Sequence, residues 1–395
     1  MASSAHAPTT TPGPADGPVG DVDALAGRFR LLADQDFTGY CPVYDRVARA
    51  IADDPASLRR LLGPAPVNRT PVLALAAIHH LVLAEPMSPL AAIYRGADDA
   101  DPWPLVRDLL HERSDEVRHL MATRSIQTNE VGRSAALVPA LGEVVRRLRD
   151  HGDNRPLALV EIGPSAGLNL LLDRFCITYD DPDGAASTTI GPPDSPVRLR
   201  CELRGGLRPP LSALELPIST RRGLDLAPIA VADDDQRRWL TACVWPGIPD
   251  RPERLAAAIE IALEDPPTLL TGDATRDLGP LLDALGDDVV PIVVATWALA
   301  YLAGDDRAGV LRTIDAVGER RTIALLTAEV AHVTPWVPPT DPAAVASTTG
   351  PDDDADGTLT VVGLHLVLDG APDDQALAIM HPHGRWLGWL TRSER

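Results

Sequence analysis

Apolar spacing changes at Pro156, and this change limits the folds open to the chain. From about 22 to 150 the apolar residues recur at helical intervals, as in LAGRFRLLADQ, VYDRVARAIAD, PVLALAAIHHLVLA and TNEVGRSAALVPALGEVVRRLRD. Beyond Pro156, short aliphatic runs alternate with helical ones: LALVEIG then SAGLNLLLDRF, LPISTRRGLDL then DQRRWLTACVW, TLLTGDA then LGPLLDALG, VPIVVATWALAYL then DRAGVLRTIDAVG, and RTIALLTAEV. Strands that are aliphatic throughout are covered on both faces, and a helix after each lets them pair in parallel. The expected fold is α/β: an all-helical domain over 22–150, then a doubly wound, mostly parallel sheet over 151–395 with insertions at 176–216 and 332–357. TLTVVGLHLVLDG and QALAIMHPHGRWLGWL, joined by APDD, predict a terminal β-hairpin on the sheet edge. Residues 1–21, rich in Ala, Pro, Thr and Gly, predict a disordered tail.

Composition removes several function classes. All 36 basic residues are Arg, so Schiff-base, phosphate-loop and general-base lysines are excluded. A formal charge of −20 without a basic stripe argues against nucleic acid and against an anionic membrane surface as partners. Cys41, Cys176, Cys201 and Cys243 are widely separated, which signals neither a disulfide framework nor a metal site. The first residues lack the basic and apolar regions of a secretion signal, and no apolar run reaches the roughly 18 residues of a membrane span, so a cytoplasmic protein is expected.

The stretch EIGPSAG at 161–167 carries two meanings. As G-x-S-x-G it is the turn of a serine hydrolase, with Ser165 as nucleophile and Asp273 with His381 or His383 completing a triad. About 150 largely helical residues precede it, however, and no HGGG-type oxyanion loop occurs. As a strand ending in Glu161 and followed by Gly163 and Gly167, it is the turn by which a doubly wound sheet receives a nucleotide-like cofactor. The glycines let the backbone approach a ligand closely, and Glu161 accepts its hydrogen bonds. Five parallel strands and a terminal hairpin follow the order of the class I S-adenosylmethionine-dependent methyltransferase sheet, and further residues resemble those enzymes strand by strand. GLDLAP at 223–228 looks like the second-strand end, which implies Asp225 on the ribose hydroxyls. TGDA at 271–274 looks like the third, which implies Asp273 by the adenine amino group. ATWALAYL at 295–302 stands at the fourth, with Trp297 beside the cofactor and Tyr301 toward the substrate.

QTNEVGRS at 127–134, EIGPSAGLNLLLDRF at 161–175, RRGLDLAP at 221–228, RWLTACVWP at 238–246 and HPHGRW at 381–386 together resemble a bacterial family defined only as a domain of unknown function. The resemblance implies a methyltransferase-like C-terminal domain and no established activity.

Two more constellations remain. Arg124, Gln127, Asn129, Glu130 and Arg133 are a polar start to an apolar helix, and helical spacing puts Gln127, Glu130 and Arg133 on one face. Such a helix runs antiparallel to the first strand, so its start reaches the sheet's carboxyl edge, where ligands bind in this architecture. Glu130 is then a candidate acid or base, Arg124 or Arg133 a carboxylate clamp, and Gln127 and Asn129 substrate-binding residues. His381 and His383 are further candidate bases. Trp239 and Trp245 are expected in the core. The expected function is methyl transfer from S-adenosylmethionine to a small molecule, with a ligand cleft between the domains at the sheet's carboxyl edge. The alternatives are a Ser165 hydrolase or a cofactor-binding module without catalysis. The oligomeric state is left open.

Overall fold

The computed structural model describes residues 22–181, 187–211, 214–349 and 359–392. The expected tail at 1–21 and the 350–357 part of the second insertion lie outside them. The chain divides into two units, Met1–Thr128 with Ala230–Glu253, and Asn129–Ile229 with Arg254–Arg395.

Proline sets the helix starts of the first unit. Pro42, Pro55, Pro71 and Pro89 each open a helix, at the position where a missing N–H costs nothing. Asp54, Thr70 and Ser88 cap three of these helices, accepting from the backbone N–H groups of Ala56, Leu73 and Ala91. Helix Pro71–Ala84 is apolar but for His79 and His80 and buried along nearly its whole length, so it forms the centre of this unit. The RWLTACVWP segment, from the second half of the chain, packs into the same core. Trp239 is buried and donates from Nε1 to Ser125 O at 2.8 Å, and Trp245 meets Phe37 edge-on at 4.8 Å. Burial lowers His79 to about 4; the neutral ring donates from Nδ1 to Ala242 O at 3.1 Å. These aromatic and imidazole groups are packing elements of the helical unit.

The second unit is built on eleven strands among the described residues: β1 (Leu157–Ile162), β2 (Cys176–Asp180), β3 (Thr188–Ile190), β4 (Arg198–Arg204), β5 (Ile218–Asp225), β6 (Thr268–Thr271), β7 (Val290–Thr296), β8 (Ile323–Val330), β9 (Thr360–Leu368), β10 (Ala371–Met380) and β11 (Trp386–Trp389). They form one sheet in the order β3-β2-β4-β11-β10-β9-β8-β7-β1-β5-β6. Strands β6, β5, β1, β7 and β8 are parallel neighbours. β1, β7 and β8 are buried at every residue, as their aliphatic runs require. From β1 the chain first adds β5 and β6 on one side and then crosses to β7 on the other, so the order reverses between β1 and β7.

Four expectations need correction. The C-terminal hairpin is not on the sheet edge: β9 and β10 lie inside it, because β11 and then β4, β2 and β3 of the 176–216 insertion pair beyond them. The turn of that hairpin is Asp369–Gly370, with Ala371–Asp374 inside β10. SAGLNLLLDRF forms only a 3-10 segment over Leu168–Arg174. The long helix begins at Ser134 instead of near Gln127, because the Glu130 side chain accepts from Gly132 N and caps a 3-10 turn, Val131–Arg133, ahead of it. Pro139 inside helix Ser134–Asp150 cannot donate to Ala135 O. Tyr179 of β2 supplies the missing donor, its hydroxyl bonding Ala135 O at 2.9 Å, which ties the inserted strand to the helix.

Candidate functional site

β1 ends in a turn that three left-handed residues shape: Gly163 at φ 65°, Ser165 at 55° and Gly167 at 71°. Protein neighbours account for the glycines. A Cβ on Gly163 would stand 2.9 Å from Ala298 Cβ, and one on Gly167 would stand 2.8 Å from Leu269 Cδ2. Ser165 N donates to Asp225 Oδ2 at 2.9 Å, and Ala227 N donates to Asp225 Oδ1 at 2.8 Å, so the β5 carboxylate holds both turns. Asn129 Nδ2 donates to Pro164 O at 2.8 Å, while Asn129 Oδ1 and Ser165 Oγ are buried with no hydrogen-bond partner among the described residues. Asp273 caps helix Ala274–Asp283, where the Thr275 hydroxyl and amide hold it below the usual carboxylate range.

A cluster of buried charge lies at the same edge. Glu161 is 2% exposed, and its Oε2 meets no donor among the described residues. Burial pushes this carboxyl up to about 8; Asn169 and the Arg133 charge oppose the rise, and Asp225 adds to it. Arg133 is itself buried. It donates from Nε to Pro382 O at 3.2 Å and from Nη1 to Thr296 O at 3.1 Å, with its guanidinium 5.8 Å from the Trp297 ring centre. Trp297 has φ 53° and donates from Nε1 to Thr360 Oγ1 at 3.2 Å. Glu329, at the end of β8, accepts from Ala298 N at 2.8 Å and Leu299 N at 2.9 Å. Burial raises it to about 7 against the pull of those amides and of Arg133.

β10 runs antiparallel to β9, as β8 does, so His381 directly after β10 emerges at this edge too. The HPHGRW loop packs against the 130–134 segment so closely that a Cβ on Gly132 would lie 2.3 Å from His383 O, and one on Gly384 would lie 1.9 Å from Gly132 O. Glu130 is 2% exposed; its Oε1 accepts from Gly132 N at 3.0 Å and Arg254 Nη2 at 3.2 Å. Glu130 Oε2 stands 3.3 Å from His383 Nδ1. The His383 amide donates to His381 Nδ1 at 3.0 Å, which leaves the neutral His381 ring its proton on Nε2.

The sheet unit therefore brings Glu130, Arg133, Glu161, His381 and His383 into one network, with Asn129, Ser165 and Asp225 at the adjoining turn. Tyr301 is 65% exposed beyond β7. Arg124 and Gln127 belong to the helical unit, where Arg124 pairs with Asp235 and the Gln127 amide faces Cys243 Sγ at 3.5 Å. Sequence reading missed Glu329, Asn169 and Arg254. The signal for Glu329 was present: RTIALLTAEV, like LALVEI, is an aliphatic strand with one carboxylate near its end. Burial pushes Cys41, Cys201 and Cys243 up to about 12, which excludes them as thiolate nucleophiles at neutral pH. Among the described residues, no group of three or more His, Cys, Asp or Glu side chains is placed to hold a metal, and no helix is long and apolar enough to cross a membrane.

No curated protein matches this chain. A model of uncharacterised proteins conserved in bacteria, domain of unknown function 2332, matches residues 26–389. With nearly all of the described chain inside that match, the protein belongs to the domain of unknown function 2332 family.

Proposed function

We propose that the sheet unit binds S-adenosylmethionine at its carboxyl edge and that the protein is a methyltransferase acting on a small molecule. The observation that carries this reading is Glu161: a buried carboxylate with one unpartnered oxygen, at the end of the strand where the sheet order reverses. Crevices at such reversals are where doubly wound sheets take ligands. An unpaired buried acceptor costs about 1–3 kcal/mol, a cost that a donor-rich ligand would remove. The class I methyltransferase likeness is supported by five parallel strands followed by a hairpin; the four strands beyond that hairpin are a departure from it.

The residues fit the cofactor's chemistry. Glu161, Asn129 Oδ1 and Ser165 Oγ would meet its amine and hydroxyl donors, and Asp225 would turn its remaining lone pairs to the ribose. Arg133 would face its carboxylate. Asp273 would be a weaker adenine ligand than its position suggested, since the Thr275 amide and hydroxyl already occupy its Oδ1. When bound, the cofactor supplies an activated methyl group. The chain's own part is to orient the reactants and hold protons, the latter at Glu130, which lies against His383. The hydrolase alternative gains no support: among the described residues Ser165 Oγ bonds no histidine, and Asp273 is a helix cap.

A thermal-shift titration with S-adenosylhomocysteine tests the reading. At a hundredfold excess over Kd the native chain gains about 2.7 kcal/mol of stability, and Glu161→Gln loses most of it. No shift at any concentration counts against a cofactor site, and labelling of Ser165 by a fluorophosphonate would favour the hydrolase.

A further inference from the structure

Four buried side-chain polar atoms between 327 and 336 have no hydrogen-bond partner among the described residues: Thr327 Oγ1, Glu329 Oε2, Thr334 Oγ1 and Trp336 Nε1. Their places in the fold are related. Thr327 and Glu329 stand two apart on β8 and so face the same side. The chain then turns back, with Val337 N donating to Thr334 O at 3.0 Å. Val337 covers Gly363 of β9: a Cβ there would lie 2.4 Å from Val337 Cγ2 and 2.8 Å from Thr327 Oγ1. Trp336 packs on the core cluster that contains Leu299 and Val330. Buried polar groups are almost always paired, so four unpaired ones along the end of β8 and the turn that follows it mark a place for polar atoms the chain does not supply.

Glu329 is the charged member. Its Oε1 is fixed by the Ala298 and Leu299 amides, which leaves Oε2 for another donor. β7 separates β8 from β1, and Glu161 is in register with Val294 and Val294 with Leu326, so Glu329 lies two strand spacings across and three residues farther along, about 14 Å from Glu161 between Cα atoms and on the other face of the sheet. Arg133 bonds the intervening strand end at Thr296 O.

Resting on the cofactor reading above, we propose that Glu329 and the Thr334–Val337 turn form the subsite for the reacting end of the ligand pair, where Glu329 faces the positive centre of the cofactor and the amine or hydroxyl donor of the methyl acceptor. Glu161 then serves the part of the cofactor that does not react. An ionised Glu329 distinguishes a positively charged reacting centre from a neutral one, whereas Glu161 does not.

The test compares two probes on the full chain by calorimetry: S-adenosylhomocysteine, neutral at the reacting centre, and sinefungin, which carries an ammonium there. Glu329→Gln is expected to weaken sinefungin by about tenfold or more, the size of one charge-assisted hydrogen bond, and to change S-adenosylhomocysteine by less than about twofold. Glu161→Gln is expected to weaken both alike. If Glu329→Gln does not fold, the native chain carries the test. The groups facing Glu329 are Arg133 and Tyr301, and as Glu329 ionises near 7 the preference for sinefungin rises between pH 6 and pH 8. A preference that is flat with pH, or a Glu329→Gln effect equal for both probes, overturns the inference and leaves the cofactor site standing. Binding of neither probe by the native chain overturns both.

Discussion

Glu161 is held in the fold at a cost that depends on pH. Its folded value, about 8, lies above the ordinary 4.5, so the folded chain keeps a proton that the unfolded chain gives up. The associated stability is complete below about 4.5 and is lost as pH rises through about 8. Glu329 behaves alike over a window ending near 7. Glu161→Gln, neutral at every pH, removes this component. Relative to the native chain it should gain stability, by a few kcal/mol, between thermal melts at pH 5 and at pH 8.5; parallel profiles would mean that Glu161 is solvated. Glu130 differs, because it is buried against Arg254 and the Gly132 amide. Glu130→Ala leaves the half-buried Arg254 guanidinium and the Gly132 amide short of their partner and should cost about 1–3 kcal/mol in denaturant unfolding.

At the scale of elements, local sequence and distant contacts divide the credit. The aliphatic runs of β1, β7 and β8 were readable because strands buried on both faces leave no polar alternation. β4 was also readable in principle, since RLRCELR alternates exposed and buried along its length. Its place beside β11 was not, because periodicity reports which face is buried and not which strand lies alongside. The late start of helix Ser134–Asp150 was missed for a related reason: Glu130 prefers the Gly132 amide and the Arg254 guanidinium to a helical position, and Arg254 is 124 residues away. The Tyr179 bond to Ala135 O makes a testable element-scale claim. Tyr179→Phe should cost about 1–3 kcal/mol, the price of an unpaired buried carbonyl. In a Pro139→Ala background the helix supplies its own donor, so the same change should cost much less; equal costs in both backgrounds would refute the link.

Across the whole sheet unit, segments far apart in sequence gather at one edge: the 130–134 segment packs against HPHGRW, and EIGPSAG against GLDLAP. Sequence motifs identified most members of this cluster, but neither their contacts nor Glu329, whose placement depends on the Ala298 and Leu299 amides of another strand end. The close passage of Gly132 and Gly384 implies that Gly132→Ala forces the two loops apart. It should cost about 1–3 kcal/mol or more and displace His383, which a change in its imidazole NMR signals would report. The central claim is that Glu161 awaits a ligand's donors. Calorimetric titration of the native chain with S-adenosylhomocysteine at pH 7, in two buffers of different ionisation heat, tests it most directly. The account predicts saturable binding with release of a proton as Glu161 ionises, with both lost in Glu161→Gln; heat no greater than dilution, or binding that Glu161→Gln leaves intact, would contradict it.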